Sequence, residues 1–189
     1  MARTRLTRSE RASLTRDDLL EAAEARFLRD GYHATTLGAI AEDAGYTKGA
    51  VYSAYESKAG LFLALFDAVA ERRVEAIRRL LDGHEDRGDA LAALARRPAD
   101  DRNAHFLLLV IEFLIHAARQ PELLEQFADR HRRLRASMAE LAPPCSALTA
   151  EEWAIVTFSL SNGIALERLI DPDGVPDDLM AVVQSRIAG

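Results

Sequence analysis

The feature that most constrains this chain is the stretch AEDAGYTKGAVYSAYESKAG, which runs from Ala41 to Gly60 and holds three glycines in twenty residues. The surrounding sequence is rich in alanine, leucine, arginine and glutamate, which are strong helix formers, and it lacks β-branched runs of period two. A glycine inside a helix costs about 1 kcal/mol relative to alanine. The stretch therefore predicts short helices separated by tight turns, within an all-α fold.

Apolar spacing and capping residues predict about nine helices along the chain. The first begins at Thr15, an N-cap followed by Asp18, and it ends at Gly31. The others are predicted at residues 36–44, 47–55, 58–81, 90–96, 102–119, 122–141, 150–169 and 177–187. We divide the chain into a basic flexible arm (1–14), a three-helix domain (15–60) and a larger helical body (61–189), connected by helix 58–81.

Two short helices joined by a glycine-containing turn make a helix-turn-helix. Ala41 is small where the two helices cross, and Val51 anchors the second helix against the first. Gly45 lies at the turn, where a left-handed backbone conformation is required. Turn geometry therefore explains Gly45, one of the three glycines of the stretch.

The amino end of the second short helix carries almost no side chains at Gly49 and Ala50. Bare positions there let a helix end approach a phosphate backbone closely, with its N–H groups directed at phosphate oxygens. Lys48 is long enough to reach a phosphate or a guanine edge, and Tyr52 and Lys58 offer polar groups to flanking phosphates. The alternative is a three-helix element with a solvated surface and no DNA partner.

The net charge of −6 hides an asymmetry between the two ends of the chain. Residues 1–16 carry five arginines against the single acid Glu10, and residues 1–58 are balanced at nine basic and nine acidic side chains. The acidic excess thus belongs to residues 59–189. An acidic body with a basic arm is compatible with DNA binding, because only the contact face must attract phosphate. The arm is either a minor-groove contact or a solvated tail.

Several classes of protein are disfavoured by the composition. The single cysteine, Cys145, excludes an internal disulfide, and the amino terminus lacks the apolar segment of a secretory signal. The most apolar run, Phe106 to Ile115, is about half the length that a membrane span requires. We therefore expect a cytoplasmic protein.

The segment TTLGAIAEDAGYTKGAVYSAYESKAGLF, from Thr35 to Phe62, resembles the DNA-binding signature of the TetR family of transcriptional regulators. The resemblance covers residues 15–66. It implies that Thr36 caps its helix and contacts phosphate, and that the amino end of the second short helix lies in the major groove. Ser53, Ala54 and Gly60 depart from the family pattern, which often has an aromatic residue, a histidine and a glutamate there. The candidate DNA-contacting residues are Thr36, Thr47, Lys48, Gly49, Ala50, Tyr52, Ser53, Tyr55 and Lys58.

The same resemblance implies a ligand-binding and dimerising helical body, and hence a ligand-responsive, sequence-specific regulator. We expect a homodimeric repressor that is released from a palindromic operator by a small-molecule effector, with no cofactor. Small residues at Ser159, Ser161 and Gly163 permit close helix packing, either between two chains or within one. The candidate ligand-binding residues are Phe106, Phe113, His116, Met138, Trp153, Phe158 and Asn162; plain core packing is the alternative for each aromatic.

A helical metal-binding protein or metalloenzyme is the competing interpretation. His105, Glu112 and His116 lie on one helical stripe, and His131 on the next helix is a candidate third ligand for Glu112 and His116. Apart from these residues, no nucleophile elbow, phosphate-binding glycine loop or catalytic carboxylate pair is visible. We predict that the chain is not an enzyme and holds no metal.

Overall fold

The computed structural model describes residues 8–84, 87–95, 101–143 and 148–187, and in these ranges the only regular secondary structure is α-helix. The prediction of an all-α fold is confirmed. The helices are α1 (Arg8–Ala34), α2 (Leu37–Asp43), α3 (Lys48–Tyr55), α4 (Lys58–Asp82), α5 (Arg87–Ala95), α6 (Asp101–Ala117), α7 (Pro121–Ala139), α8 (Ala150–Ile170) and α9 (Leu179–Ile187). None of the described helices is long and apolar enough to cross a membrane.

The first helix is longer than the sequence predicts. It begins at Arg8, so Thr15 lies inside α1 rather than capping it. The added residues include arginine, glutamate, alanine and leucine, which favour helix without a capping signal. Residues 1–7, the first part of the predicted arm, and Cys145 lie outside the described ranges.

Three threonine caps that the sequence predicts are present in the structure. Thr36, Thr47 and Thr149 each accept a hydrogen bond from a backbone N–H in the first turn of the following helix. Thr149 and Glu152 form a reciprocal capping box, in which hydrogen bonds from Thr149 lower the pKa of the Glu152 carboxyl. These caps position α2, α3 and α8.

Two compact units make up the chain. Unit 1 comprises Met1–Ala68 together with Leu109–His116 of α6, and unit 2 comprises Val69–Leu108 and Ala117–Gly189. The α6 segment in unit 1 is distant in sequence from the rest of that unit, and the sequence-based division at residue 60 stays a prediction. Two helices, α4 and α6, therefore contribute residues to both units.

The core of unit 1 centres on four aromatic rings. Phe62 stacks on Phe113 with ring centroids 4.1 Å apart, and Tyr32 contacts both rings edge-on, as does Phe27 with Phe62. All four side chains are buried, and burial raises the pKa of Tyr32 to about 12. Burying each such ring contributes about 2 kcal/mol to folding. The cluster joins α1, α4 and α6.

Unit 2 is a set of helices in which α7 packs on α8, and α9 packs on both α5 and α8. Its buried apolar side chains include Phe127 and Leu134 on α7, Trp153 on α8 and Ala181 on α9. Phe127 and Leu134 are seven residues apart and lie on one face of α7, as in an amphipathic helix. The predicted start of the last helix at Asp177 is two residues early, because turn structure extends to Asp178.

Candidate nucleic-acid interface

The turn between α2 and α3 is a Schellman motif. Gly45 has a φ of 71°, its N–H bonds to the carbonyl of Glu42, and the N–H of Tyr46 bonds to the carbonyl of Ala41 at 2.8 Å. A left-handed residue at this place satisfies the free carbonyl groups at the end of α2, and glycine adopts that conformation without steric cost. Ala41 and Val51 are both buried, as their predicted packing roles require. The helix-turn-helix geometry is thus confirmed.

The amino end of α3 is open to solvent. Thr47, Lys48 and Gly49 are exposed, and Ala50 is half-buried. A Cβ placed on Gly49 would meet only the Thr47 hydroxyl, at an ordinary 3.9 Å. Neither packing nor a left-handed backbone therefore requires glycine at this position. The missing side chain leaves this end of the helix open to close approach from outside.

The exposed side chains around this helix end match the chemistry of a phosphate-binding surface. Lys48 places its ammonium 5.8 Å from the centroid of the Tyr52 ring, and Tyr52 is 47% exposed. Ser53 is exposed one residue further on. Thr36 is exposed at the start of α2, where its hydroxyl oxygen accepts the Ala39 N–H at 3.2 Å and can still donate outward. Thr36 and Lys48 both lie close to Gly38, so the start of α2 is near the bare amino end of α3.

Tyr55 has a structural role, and its predicted contact with DNA stays a prediction. Its hydroxyl donates to the backbone carbonyl of Arg16 at 3.0 Å, and burial raises its pKa. The Arg16 guanidinium in turn donates to the Ala54 carbonyl and lies over the Tyr55 ring. These contacts tie the far end of α3 to α1. Sequence reasoning missed Arg16, whose only signal was its place in a run of arginines.

Lys58 is also engaged inside the protein. Its ammonium donates to the carbonyl oxygens of Tyr32, His33 and Thr35 at 2.8, 3.2 and 2.9 Å, and it lies 4.5 Å from the Tyr32 ring centroid. Burial lowers its pKa, while the Glu112 carboxylate opposes that shift. A cation at these last carbonyls of α1 complements the negative end of the helix dipole. Its predicted contact with phosphate stays a prediction.

An ion-pair group fixes α2 against α1. Arg26 donates to both carboxylate oxygens of Asp43, at 2.7 and 2.8 Å, and to Asp30 at 3.1 Å. The Arg26 guanidinium lowers the pKa of the Asp43 carboxyl, mainly through these hydrogen bonds. Asp43 ends α2 just before the turn, so this bidentate contact helps to orient the helix-turn-helix. The sequence carried no short-range signal for it, because the partners are 17 residues apart.

The seven candidate ligand-binding residues fall into different surroundings. In unit 1, Phe113 is fully buried, whereas His116 is half-buried and lies against Tyr32 and His33. Phe106 and Trp153 are buried in unit 2, with the Arg73 guanidinium over the Phe106 ring.

The other three candidates, Met138, Phe158 and Asn162, are half-buried. The Phe158 ring contacts the His131 ring edge-on, with ring centroids 5.0 Å apart. Burial and Arg135 lower the pKa of His131.

The described residues contain no cluster of three or more histidine, cysteine, aspartate or glutamate side chains that could hold a metal ion. Glu112, the central residue of the metal hypothesis, accepts the backbone N–H of Tyr32 at 2.8 Å. His105 is exposed on α6 and His131 lies beside Phe158. The geometry gives the metalloprotein alternative no support.

Comparison with known proteins agrees with this geometry. Residues 19–65 match the family model described as bacterial regulatory proteins, tetR family, and residues 82–189 match the model described as tetracyclin repressor-like, C-terminal domain. The two matches together cover most of the chain. The chain belongs to the TetR family of bacterial transcriptional regulators.

Individual relatives of this TetR-family protein are distant. The HTH-type transcriptional regulator TtgR of Pseudomonas putida is 29% identical, over 93% of this chain and 89% of TtgR. The HTH-type transcriptional activator FasR of Mycolicibacterium smegmatis is 36% identical, over 47% of this chain and 39% of FasR. A crystal structure of a Rhodococcus sp. protein described as a TetR-family regulator has a TM-score of 0.74 at 18% identity, covering 94% of this chain and 100% of that chain. The structural likeness shows the fold.

Proposed function

We propose that this TetR-family regulator binds a palindromic DNA operator as a homodimer and represses transcription until a small-molecule effector releases it. The observation that carries the proposal is the bare, exposed amino end of α3, held outward by the Gly45 turn and flanked by Lys48 and Tyr52. An open helix end with a nearby cation is suited to phosphate oxygens and to the edges of guanine bases. Both occur in the major groove of duplex DNA.

The exposed face of α8 supports dimerisation. Ile155, Leu169 and Ile170 are apolar but exposed, and Ile170 is 79% exposed. Ser159 and Gly163 are exposed on the same helix, and small side chains allow a second helix to approach closely. A second copy of this chain covers these residues in our proposal. Dimerisation would place two α3 helices one DNA turn apart, about 34 Å, as a palindrome requires.

The effector would bind in unit 2. Met138, Phe158 and Asn162 are half-buried there, and they combine apolar surface with an amide group. We propose that the effector favours a conformer in which the two DNA-binding units are wrongly spaced, with α4 as the connecting lever. A preference of about 1–3 kcal/mol would weaken operator affinity about 5- to 150-fold. Because FasR is named an activator, repression as opposed to activation is a separate part of the proposal. Expression of a reporter gene placed under the selected operator tests it.

Selection of DNA from a random pool by the purified protein tests the proposal as a whole. We expect enrichment of a palindrome whose half-site centres are about one helical turn apart, and affinity that falls steeply with salt. The matched control is a Lys48→Ala, Tyr52→Ala double variant, which we expect to enrich no sequence. Absence of enrichment by the parent protein, or equal enrichment by both proteins, would refute the proposed interface.

A further inference from the structure

The helix α1 is interrupted near its carboxyl end, and a residue of α6 accepts a backbone N–H that the interruption leaves free. Gly31 has φ 77° and ψ 171°, so regular helical geometry is interrupted there. A break of this kind deprives the next N–H of its usual carbonyl acceptor in the preceding turn. The Tyr32 N–H instead donates to the Glu112 carboxylate at 2.8 Å, across 80 positions of sequence. Glu112 thus acts as an N-cap supplied from another helix.

Gly31 and Glu112 fit one another closely. A Cβ on Gly31 would lie 2.9 Å from each of the two carboxylate oxygens of Glu112. The positive φ favours glycine at this position, and a Cβ would also displace the Glu112 carboxylate. The carboxylate is seated directly on the backbone of α1.

Lys58 holds the same segment through its carbonyl groups. The Lys58 ammonium bonds to the carbonyls of Tyr32, His33 and Thr35, and the Thr35 hydroxyl donates to the Gly31 carbonyl at 2.8 Å. The opposite charges of Lys58 and Glu112 also attract each other. Residues 31–35 are therefore held by an anion at an N–H group and by a cation at carbonyl groups. We call these five residues the α1–α2 joint.

The position of this joint connects it to DNA recognition. Its last residue, Thr35, is buried and directly precedes Thr36, which caps α2 and belongs to the candidate interface. The orientation of α2, and of α3 through the Gly45 turn, thus depends on the backbone path through residues 31–35. We propose that Glu112 is a positioning residue for DNA binding: it sets the path of the α1–α2 joint and through it the orientation of the recognition helix. This inference rests on the proposed function.

Two substitutions separate the hydrogen bond from mere side-chain packing. Glu112→Gln keeps an oxygen that can accept the Tyr32 N–H, whereas Glu112→Met keeps the length of the side chain but has no comparable acceptor. We expect Glu112→Met to bind the selected operator duplex about tenfold more weakly than the parent protein does. The affinities are measured at a temperature at which circular dichroism shows that the variant is folded. The Gln variant should remain within about threefold of the parent. A purely stabilising role would lower the melting temperature and leave the affinity of the folded protein unchanged.

Hydrogen exchange at the Tyr32 amide gives a readout that does not depend on DNA. We expect about tenfold faster exchange in Glu112→Met than in the parent, and nearly parental exchange in Glu112→Gln. Leu114→Ala, a change at a more exposed position on the same helix, is the control and should alter neither quantity. Parental operator affinity or parental Tyr32 exchange in the folded Met variant would overturn the inference.

The experiment remains decisive in two less favourable cases. If Glu112→Met does not fold, Glu112→Asp withdraws the carboxylate by one methylene while keeping its charge, and the same weaker binding and faster exchange are expected. If selection yields no operator, the proposed function fails and with it the role in DNA binding. The Tyr32 exchange rates then still decide whether Glu112 holds the joint.

Discussion

A Cβ on Gly60 would lie 2.5 Å from the carbonyl oxygen of Tyr55. The reason is the tight turn between α3 and α4, in which Glu56 has a φ of 59° and the Ser57 N–H reaches the Tyr55 carbonyl. The Gly60 N–H donates to the Ser57 hydroxyl oxygen at 2.9 Å. The TetR signature usually has a glutamate here, and in this chain a Cβ would not fit without a shift of the turn.

Restoring the family residue should therefore destabilise the protein. We expect Gly60→Glu to lower the free energy of unfolding by about 1–3 kcal/mol, because the backbone must shift to admit a Cβ. Urea denaturation measures the change. Ala59→Glu is the control, since it adds the same charge one residue earlier, where a Cβ is already accommodated. Equal effects of the two substitutions would contradict this explanation.

Gly49 should show opposite effects on stability and on DNA binding. Gly49→Ala meets only an ordinary contact and improves helix propensity, so we expect a gain of about 0.5 kcal/mol in the free energy of unfolding. The added methyl group projects from the proposed contact surface, so operator affinity should fall. Urea denaturation and fluorescence anisotropy on the selected duplex measure the two quantities. An unchanged affinity would remove the close-approach argument for this glycine.

Substitutions of Lys48 and Lys58 should have different effects, although the sequence predicted a DNA contact for both. Lys58→Met should cost about 2 kcal/mol of stability without DNA present, because three carbonyl groups lose a cationic donor. Lys48→Ala should leave stability nearly unchanged and reduce the slope of log affinity against log salt by about 1 for each phosphate that is no longer neutralised. Melting curves and salt titrations on both variants separate the roles. A Lys58 variant with parental stability would refute the capping role.

The contact between Arg26 and Asp43 predicts a specific acid sensitivity. The pKa of Asp43 in the folded protein lies below 3.8, so its stabilising contribution is fully present above that pH. The contribution is lost as pH falls through the folded-state pKa. When the pH is lowered from about 5 to about 3, the melting temperature of Asp43→Asn should therefore fall less than that of the parent. Asp173→Asn, in the exposed turn after α8, should behave like the parent.

The exposed end of α8 gives a test of the dimer. We expect Ile170→Glu to shift the protein to monomers in sedimentation equilibrium, since a charge would face the partner helix. Operator affinity should fall with it, because a monomer offers one α3 helix instead of two. Ile115→Glu on α6 places the same charge at another exposed isoleucine and should leave the dimer intact. Dissociation by both substitutions would mean that the effect is not specific to α8.

The features that the sequence predicted have local causes, although the local cap signal at Thr15 was wrong. Thr36, Thr47 and Thr149 were recognisable as caps because each signal lies within one helical turn, and Gly45 was recognisable because it separates two periodic segments. The contacts of Glu112 with Tyr32 and of Tyr55 with Arg16 join residues 80 and 39 positions apart. No pattern within one element encodes such contacts. For the same reason Glu112 and His116 suggested a metal site when only their spacing was known.

The inclusion of Leu109–His116 in unit 1 has a consequence for building hybrid regulators. A graft of residues 8–68 onto a foreign effector-binding body would transplant Gly31 and the Tyr32 N–H without the carboxylate that accepts this N–H. Such a chimera should recover its DNA specificity only when the recipient helix is also recoded to present a glutamate at the place of Glu112.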